Sequence, residues 1–190
     1  IGYMLFGFSL GTKAAMMAAV FYVVHHILVK TNLFLLGGLI CQVGGTFELK
    51  KTGGIARHYP FLAAVFFIPA FSLAGFPLLS GFFAKFSLLK AGFEQEAFVL
   101  LAIALVVSVL TLISMLKIWT EAFWKPVPLG SNAPPYRSLS WGQLAPVIMM
   151  AAGTLILGIW PQLLLSPAER IASELKGRTV YIEAVLGGPK

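Results

Sequence analysis

The stretch AGFPLLSGFFAKFSLLKAG, residues 74–92, decides how this chain folds. It lies in an apolar segment, 60–90, long enough to cross a bilayer, yet Pro69, Gly75, Pro77 and Gly81 all fall inside it. Each is unfavourable in a regular helix interior. Pro77 has no N–H for the carbonyl one turn back, and the flanking Gly75 and Gly81 let the backbone leave helical geometry. The segment is therefore predicted as one discontinuous transmembrane helix, two half-helices with a break between Gly75 and Gly81. Such a break at membrane depth survives only where protein or trapped water satisfies the freed backbone. Lys85 follows four residues past Gly81, among Phe82, Phe83, Phe86, Leu88 and Leu89, with no acid nearby; Lys90 reads as interfacial. The first half-helix ends near Ala74 with free carbonyls and a partial negative charge, which favours a cation. Discontinuous helices at membrane depth are a common construction of transporter ion sites.

Upstream, FYVVHHILVKTNLFLLGGL (21–39) carries His25, His26 and Lys30 in the middle of a continuous apolar segment. His26 and Lys30 are four apart and share a helix face, whereas His25 points about 100° away. Ionisable groups at bilayer depth are costly, and they face a protein interior or a water-filled cavity on ion and proton pathways. Histidine changes charge near neutrality, so the pair is suited to passing a proton. Lys117 lies near the end of a later span with Glu121 four residues on; it is either a further relay member or a lysine snorkelling to the surface.

The composition agrees with a membrane location. Of 190 residues 58% are hydrophobic and 11% charged, and the mean hydropathy is +0.88, against about 25% charged in a soluble domain. A soluble enzyme core and a nucleic-acid module are both excluded. The expected organisation is all-α: residues 1–12 the end of a truncated transmembrane helix, spans at 14–41, 96–124 and 142–165 beside the discontinuous 60–90, and a surface helix and tail at 167–190. Within that tail Ile171 and Leu175 are the apolar anchors among charges. The 44–59 and 125–140 connections hold Lys50, Lys51, Arg57, Lys125 and Arg137, against Lys13 and Lys90 opposite, although the tail adds Arg170, Lys176 and Arg178 to that opposite face. The five-base face is expected to be cytoplasmic. Pro126, Pro128, Pro134 and Pro135 make the 125–140 connection an irregular loop.

The single cysteine, Cys41, reads as apolar filler and leaves no cysteine-rich metal site. Two serine-lysine patterns, Ser87 with Lys90 and Ser114 with Lys117, are chance matches, because apolar spans offer no oxyanion donors for acyl transfer. No catalytic residue, metal or cofactor is expected. Gly7 and Gly11 match a small-residue helix contact motif. There is no Asp, and the seven Glu lie at or near segment ends. The buried bases must therefore find counter-charges in an upstream part of the polypeptide or in a neighbouring subunit.

Two motifs carry a resemblance. FYVVHHILVKTNLFLLGGL (21–39) resembles the histidine-and-lysine helix of the proton-translocating antiporter-like membrane subunits, and AGFPLLSGFFAKFSLLKAG (74–92) resembles their broken helix with its functional lysine. SVLTLISMLKIWTEAFW (108–124) and the ending YIEAVLGGPK are most similar to the D-type branch of multisubunit Mrp-type sodium/proton antiporters. The antiporter-like M, N and L subunits of NADH-quinone oxidoreductase are the alternative. Position 22, where some of these relatives carry another histidine, is Tyr here.

The resemblance implies the C-terminal part of a subunit of about fourteen helices built on inverted repeats, whose first-repeat glutamate and lysine would lie upstream of Ile1. It implies a lateral proton route through His26 and Lys30 to Lys85, exchange of protons for sodium in pH homeostasis, and partners among the other subunits of an antiporter complex. The expected setting is the lipid of a bacterial inner membrane, crossed several times.

Overall fold

The computed structural model describes residues 1–127, 138–177 and 185. The prolines at 128, 134 and 135, Arg137, Arg178 and the ending YIEAVLGGPK, on which some of the expectations rest, fall outside that description apart from residue 185. Among the described residues every regular element is helical.

Helix α1 (Gly2–Ser9) turns through Gly11, at φ +65°, into α2 (Lys13–Gly44). Thr12 caps α2 by accepting the Ala15 N–H at 3.1 Å, and Gly45 closes it in the left-handed region, a conformation glycine adopts without steric cost. The connection that follows is ordered into a 3₁₀ turn (Leu49–Lys51) and a short helix α3 (Ile55–His58). The broken segment resolves into α4 (Pro60–Ala74) and α5 (Ser80–Glu94). Helix α6 (Phe98–Ile118) continues into a π-helical turn (Trp119–Trp124), and α7 (Trp141–Ile159) and α8 (Gln162–Lys176) complete the bundle. Three helices, Lys13–Gly44, Phe98–Trp124 and Trp141–Ile159, are long and apolar enough to cross a membrane. With α4 and α5 the chain is a multi-pass, all-α membrane protein.

The π turn is locked to the opposing connection. Lys125 pairs with Glu121 at 2.5 Å and donates to Lys50 O at 2.7 Å, while Gly54 N–H donates to Lys125 O at 2.6 Å. Two of the bases counted on this face are thus held together at the end of α6.

One division differs from the expected 142–165 and 167–190. Helix α7 stops at Ile159, and α8 already begins at Gln162 with Pro167 inside it. Pro161 is the cause: the residue before a proline is pushed out of the α region, and Trp160 stands at φ −120°, ψ 68°. Ala168 and Ala172 are buried where α8 rests on α2, Lys13 pairs with Glu169 at 2.9 Å, and the expected anchors Ile171 and Leu175 are exposed. Small side chains permit the closer approach.

Helix α2 is the spine, touching α1, α4, α5, α7 and α8. Its first half packs Phe21 and Tyr22 against Phe6, Ala84 and Leu88; its second half packs Leu36 and Val43 with Phe66, Phe123 and Val147. Gly7 lies where α1 meets α2, with a Cβ there only 2.7 Å from Ala19 Cβ, while Gly11 faces open space and serves the turn. Between the two cores α2 carries its buried polar residues, His25 and Asn32. In the amide orientation that satisfies both groups, Asn32 donates to Val147 O and accepts from Ala151 N–H, each at 3.2 Å, tying α2 to α7.

Candidate functional site

The site forms where α4 ends and α5 begins. Helix α4 closes on Gly75 at φ +93°, whose N–H reaches Phe71 O and Ser72 O, and Phe76 N–H bonds back to Phe71 O, a left-handed C-cap. The next residues cannot continue the helix because Pro77 has no N–H, and Leu78 takes a positive φ of 71°. This is an uncommon conformation for a side-chain-bearing residue. The strained turn leans on α7 at Gly158, where a Cβ would stand 2.4 Å from Leu78 O.

The capping leaves the Ala74 carbonyl unpaired within its own helix, and Lys85 takes it. The ammonium donates to Ala74 O at 2.9 Å and to Ser108 Oγ of α6 at 2.7 Å, and Ser108 Oγ in turn donates to Ala74 O at 3.0 Å. Nζ also lies 5.1 Å from the centre of the Tyr3 ring, within range of a cation–π contact. Lys85 is 6% exposed and has no carboxylate partner among the described residues. Its surroundings are neutral oxygens, an aromatic face and the negative end of a helix dipole.

Behind the break a second polar cluster joins three helices. His25 Nδ1 is 2.8 Å from Ser80 Oγ, Ser80 Oγ is 3.2 Å from Ser72 Oγ, and Gly81 N–H donates to Ser72 Oγ at 3.2 Å. His25 is fully buried. Gly81 has no room for a side chain, since a Cβ would fall 1.7 Å from Ser72 O.

From Lys85 an aromatic row leads along α2. Tyr3 donates its hydroxyl to Ala104 O and stacks on Tyr22 with ring centroids 5.1 Å apart; Tyr22 stacks on His26 at 5.9 Å. Tyr3 and Tyr22 also line a groove of about 500 Å³ shared with Lys30, Thr111 and Ser114. Lys30 is exposed to it, its ammonium 6.0 Å from the Phe34 ring centre.

The structure thus gathers Lys85, Gly75, Pro77 and Gly81 at the break; Lys30 lines the groove, His26 stacks on Tyr22 at its wall, and Tyr3 meets Lys85. It does not bring Lys117 there. Lys117 is exposed on the last turn of α6, nine residues and about 13 Å along the axis from Ser108. His25, turned away from the His26–Lys30 face, instead meets the break. Sequence reasoning missed Ser72, Ser80, Ser108 and Tyr3. Hydroxyl side chains within apolar spans were the available signal, but they do not say which of them meet.

The family model described as NADH:quinone oxidoreductase/Mrp antiporter, TM, matches residues 1–111. The chain is 41% identical over 187 residues to the D subunit of the Na(+)/H(+) antiporter of Alkalihalophilus pseudofirmus, covering 98% of this chain and 37% of that protein. It is similar to a chain in the structure of the Mrp complex from Dietzia sp. DQ12-45-1b, with a TM-score of 0.85 and 34% identity over 97% of this chain and 42% of that one. It shares the fold of a chain of respiratory complex I from Thermus thermophilus with bound NADH, with a TM-score of 0.78 and 23% identity over 92% of this chain and 37% of that one. The chain therefore spans less than half the length of these relatives. The matched model extends through α5, the break and Lys85, and the chain accordingly belongs to the NADH:quinone oxidoreductase/Mrp antiporter transmembrane family.

Proposed function

We propose that this chain is part of an ion-translocating subunit of a multisubunit sodium/proton antiporter of the bacterial inner membrane, moving protons through a buried Lys/His relay in exchange for sodium. The observation that carries the reading is the Lys85 ammonium, buried at a helix break on Ala74 O and Ser108 Oγ with no carboxylate partner among the described residues. Neutral acceptors and a helix dipole hold the charged form weakly enough for the proton to leave and return, whereas a buried carboxylate partner would lock it. His26 and Lys30 belong to the same route, which runs along the groove by way of Tyr22 and Tyr3. Lys117, exposed at the end of α6, is left out of it.

The counter-charges come from the remainder of the subunit and its partner subunits, and the face with Lys50, Lys51 and Lys125 is cytoplasmic. The antiporter reading is preferred to a proton-pumping subunit of NADH-quinone oxidoreductase because the 41% identity over 98% of the chain is to a protein named as an antiporter subunit, whereas proteins named as NADH-quinone oxidoreductase subunit N match at 30–34% over 86–87% of it.

The test is Lys85→Ala in the complete subunit within its complex. Sodium-driven relief of a pH gradient in inverted membrane vesicles is followed with a pH-sensitive dye, and co-purification checks assembly. The expected result is a loss of about tenfold or more in exchange rate with the complex intact. An assembled Lys85→Ala complex that exchanges at the wild-type rate would end this reading.

A further inference from the structure

We infer that His25 is a positioning residue for the Lys85 site, holding the start of α5 against the end of α4 through Ser80 and Ser72. Its effect on transport rests on the relay proposed above; the clamp itself rests only on hydrogen-bond geometry.

The cluster has one fixed donor. Gly81 N–H can only donate, and it does so to Ser72 Oγ at 3.2 Å. Ser72 then has its own hydroxyl proton to place, and its remaining polar contact is Ser80 Oγ at 3.2 Å. Ser80 Oγ in turn lies 2.8 Å from His25 Nδ1. The row thus joins α5 to α4 through the two serines and to α2 through the imidazole. Nε2 is buried and has no hydrogen-bond partner among the described residues, so the polar tie of this ring is to Ser80.

Helix α5 needs the clamp. Leu79 precedes it and provides no side-chain cap, so the serine row anchors the first turn in place of an ordinary N-cap. Gly81 lets the Ser72 backbone come into contact at that turn, and Lys85 stands about one turn further along the same helix. A shift of the first turn therefore moves Nζ relative to Ala74 O and Ser108 Oγ, which it meets at 2.9 and 2.7 Å. His25 is not among the hydrogen-bond partners of the ammonium in the described residues; it acts through Ser80.

The experiment compares His25→Leu, His25→Asn and Ser80→Ala in the complete complex, with Lys85→Ala alongside. Asn places an amide oxygen near the position of Nδ1, where it can accept from Ser80, and Leu cannot. Backbone amide exchange of the 76–82 segment reads the clamp directly, and sodium-driven proton exchange reads its consequence. His25→Leu and Ser80→Ala are expected to speed amide exchange there about tenfold or more and to slow transport, while His25→Asn keeps both near wild type. Unchanged amide exchange in both His25→Leu and Ser80→Ala overturns the inference. So does a His25→Asn complex with a protected segment and no transport, because His25 would then be carrying a proton itself. If His25→Leu does not assemble, Ser80→Ala, which removes a single oxygen, decides the matter. Loosened exchange in the clamp variants together with full transport in Lys85→Ala would leave the clamp standing and remove only the relay.

Discussion

Replacing Gly81 by Ala places one methyl group at the tightest of the described glycine positions. Its Cβ would stand 1.7 Å from Ser72 O, 2.8 Å from Ser72 C and 3.0 Å from His25 Cε1. An ordinary carbon–oxygen contact is about 3.3 Å, so the methyl and the carbonyl must part by roughly 1.6 Å. Ser72 O belongs to the last turn of α4 and accepts from Gly75 N–H at 3.0 Å, which leaves α5 as the element that moves. Overpacking of this kind costs about 1–3 kcal/mol. Each hydrogen bond of the Lys85 ammonium that is lost adds about 1.5–3 kcal/mol, and Lys85 makes two, to Ala74 O and Ser108 Oγ. The expected destabilisation is therefore about 3 kcal/mol or more. Gly38→Ala is the control: nothing lies within 4 Å of a Cβ there, and alanine inside a helix is favoured over glycine by about 0.5–1 kcal/mol. The assay heats the solubilised complex and follows the surviving assembled fraction by fluorescence-detected size exclusion, beside vesicle transport. A Gly81→Ala complex that melts with Gly38→Ala and transports fully would refute the claim that the crossing of α4 and α5 sets the site.

Two further substitutions test parts of the same picture. Asn32→Leu removes both 3.2 Å bonds to α7 and is expected to cost about 1–2 kcal/mol, read as a lower apparent melting temperature; an unchanged melt would mean the amide does not tie the helices. Lys117→Ala is expected to leave the exchange rate within about twofold of wild type, because its exposed side chain stands apart from the break; a loss as deep as that of Lys85→Ala would return Lys117 to the relay.

Lys85 and Lys117 illustrate why the site could not be completed from sequence. Both are lysines inside apolar segments, at 60–90 and 96–124. What separates them is a third element. α5 turns Lys85 onto a carbonyl of α4 and a hydroxyl of α6, while Lys117 is left on an exposed turn. Burying an ammonium requires compensation, and here that compensation comes from groups 11 and 23 residues away.

What the sequence determined by itself is everything that depends on a residue and its near neighbours along the chain. Proline at 77 lacks its N–H in any context, so the break between Gly75 and Gly81 was legible; the runs of Leu, Val, Ile and Phe required spans; and the spacing of His26 and Lys30 put them on one face. Pro161 acts just as locally on Trp160, and the end of α7 could have been read from it. The tertiary structure alone decided which hydroxyls bond between helices. A serine or threonine in an apolar helix can always bond the carbonyl four residues back, as Thr111 and Ser114 do. Ser72 and Ser80 are turned instead toward His25 and each other, and Ser108 toward Lys85 and Ala74 O, by the crossing of α2, α4, α5 and α6. That crossing follows from side-chain volumes at the contacts, where Gly81 and Gly158 have no space for a methyl group. It is a property of pairs of helices, which no single stretch of sequence contains.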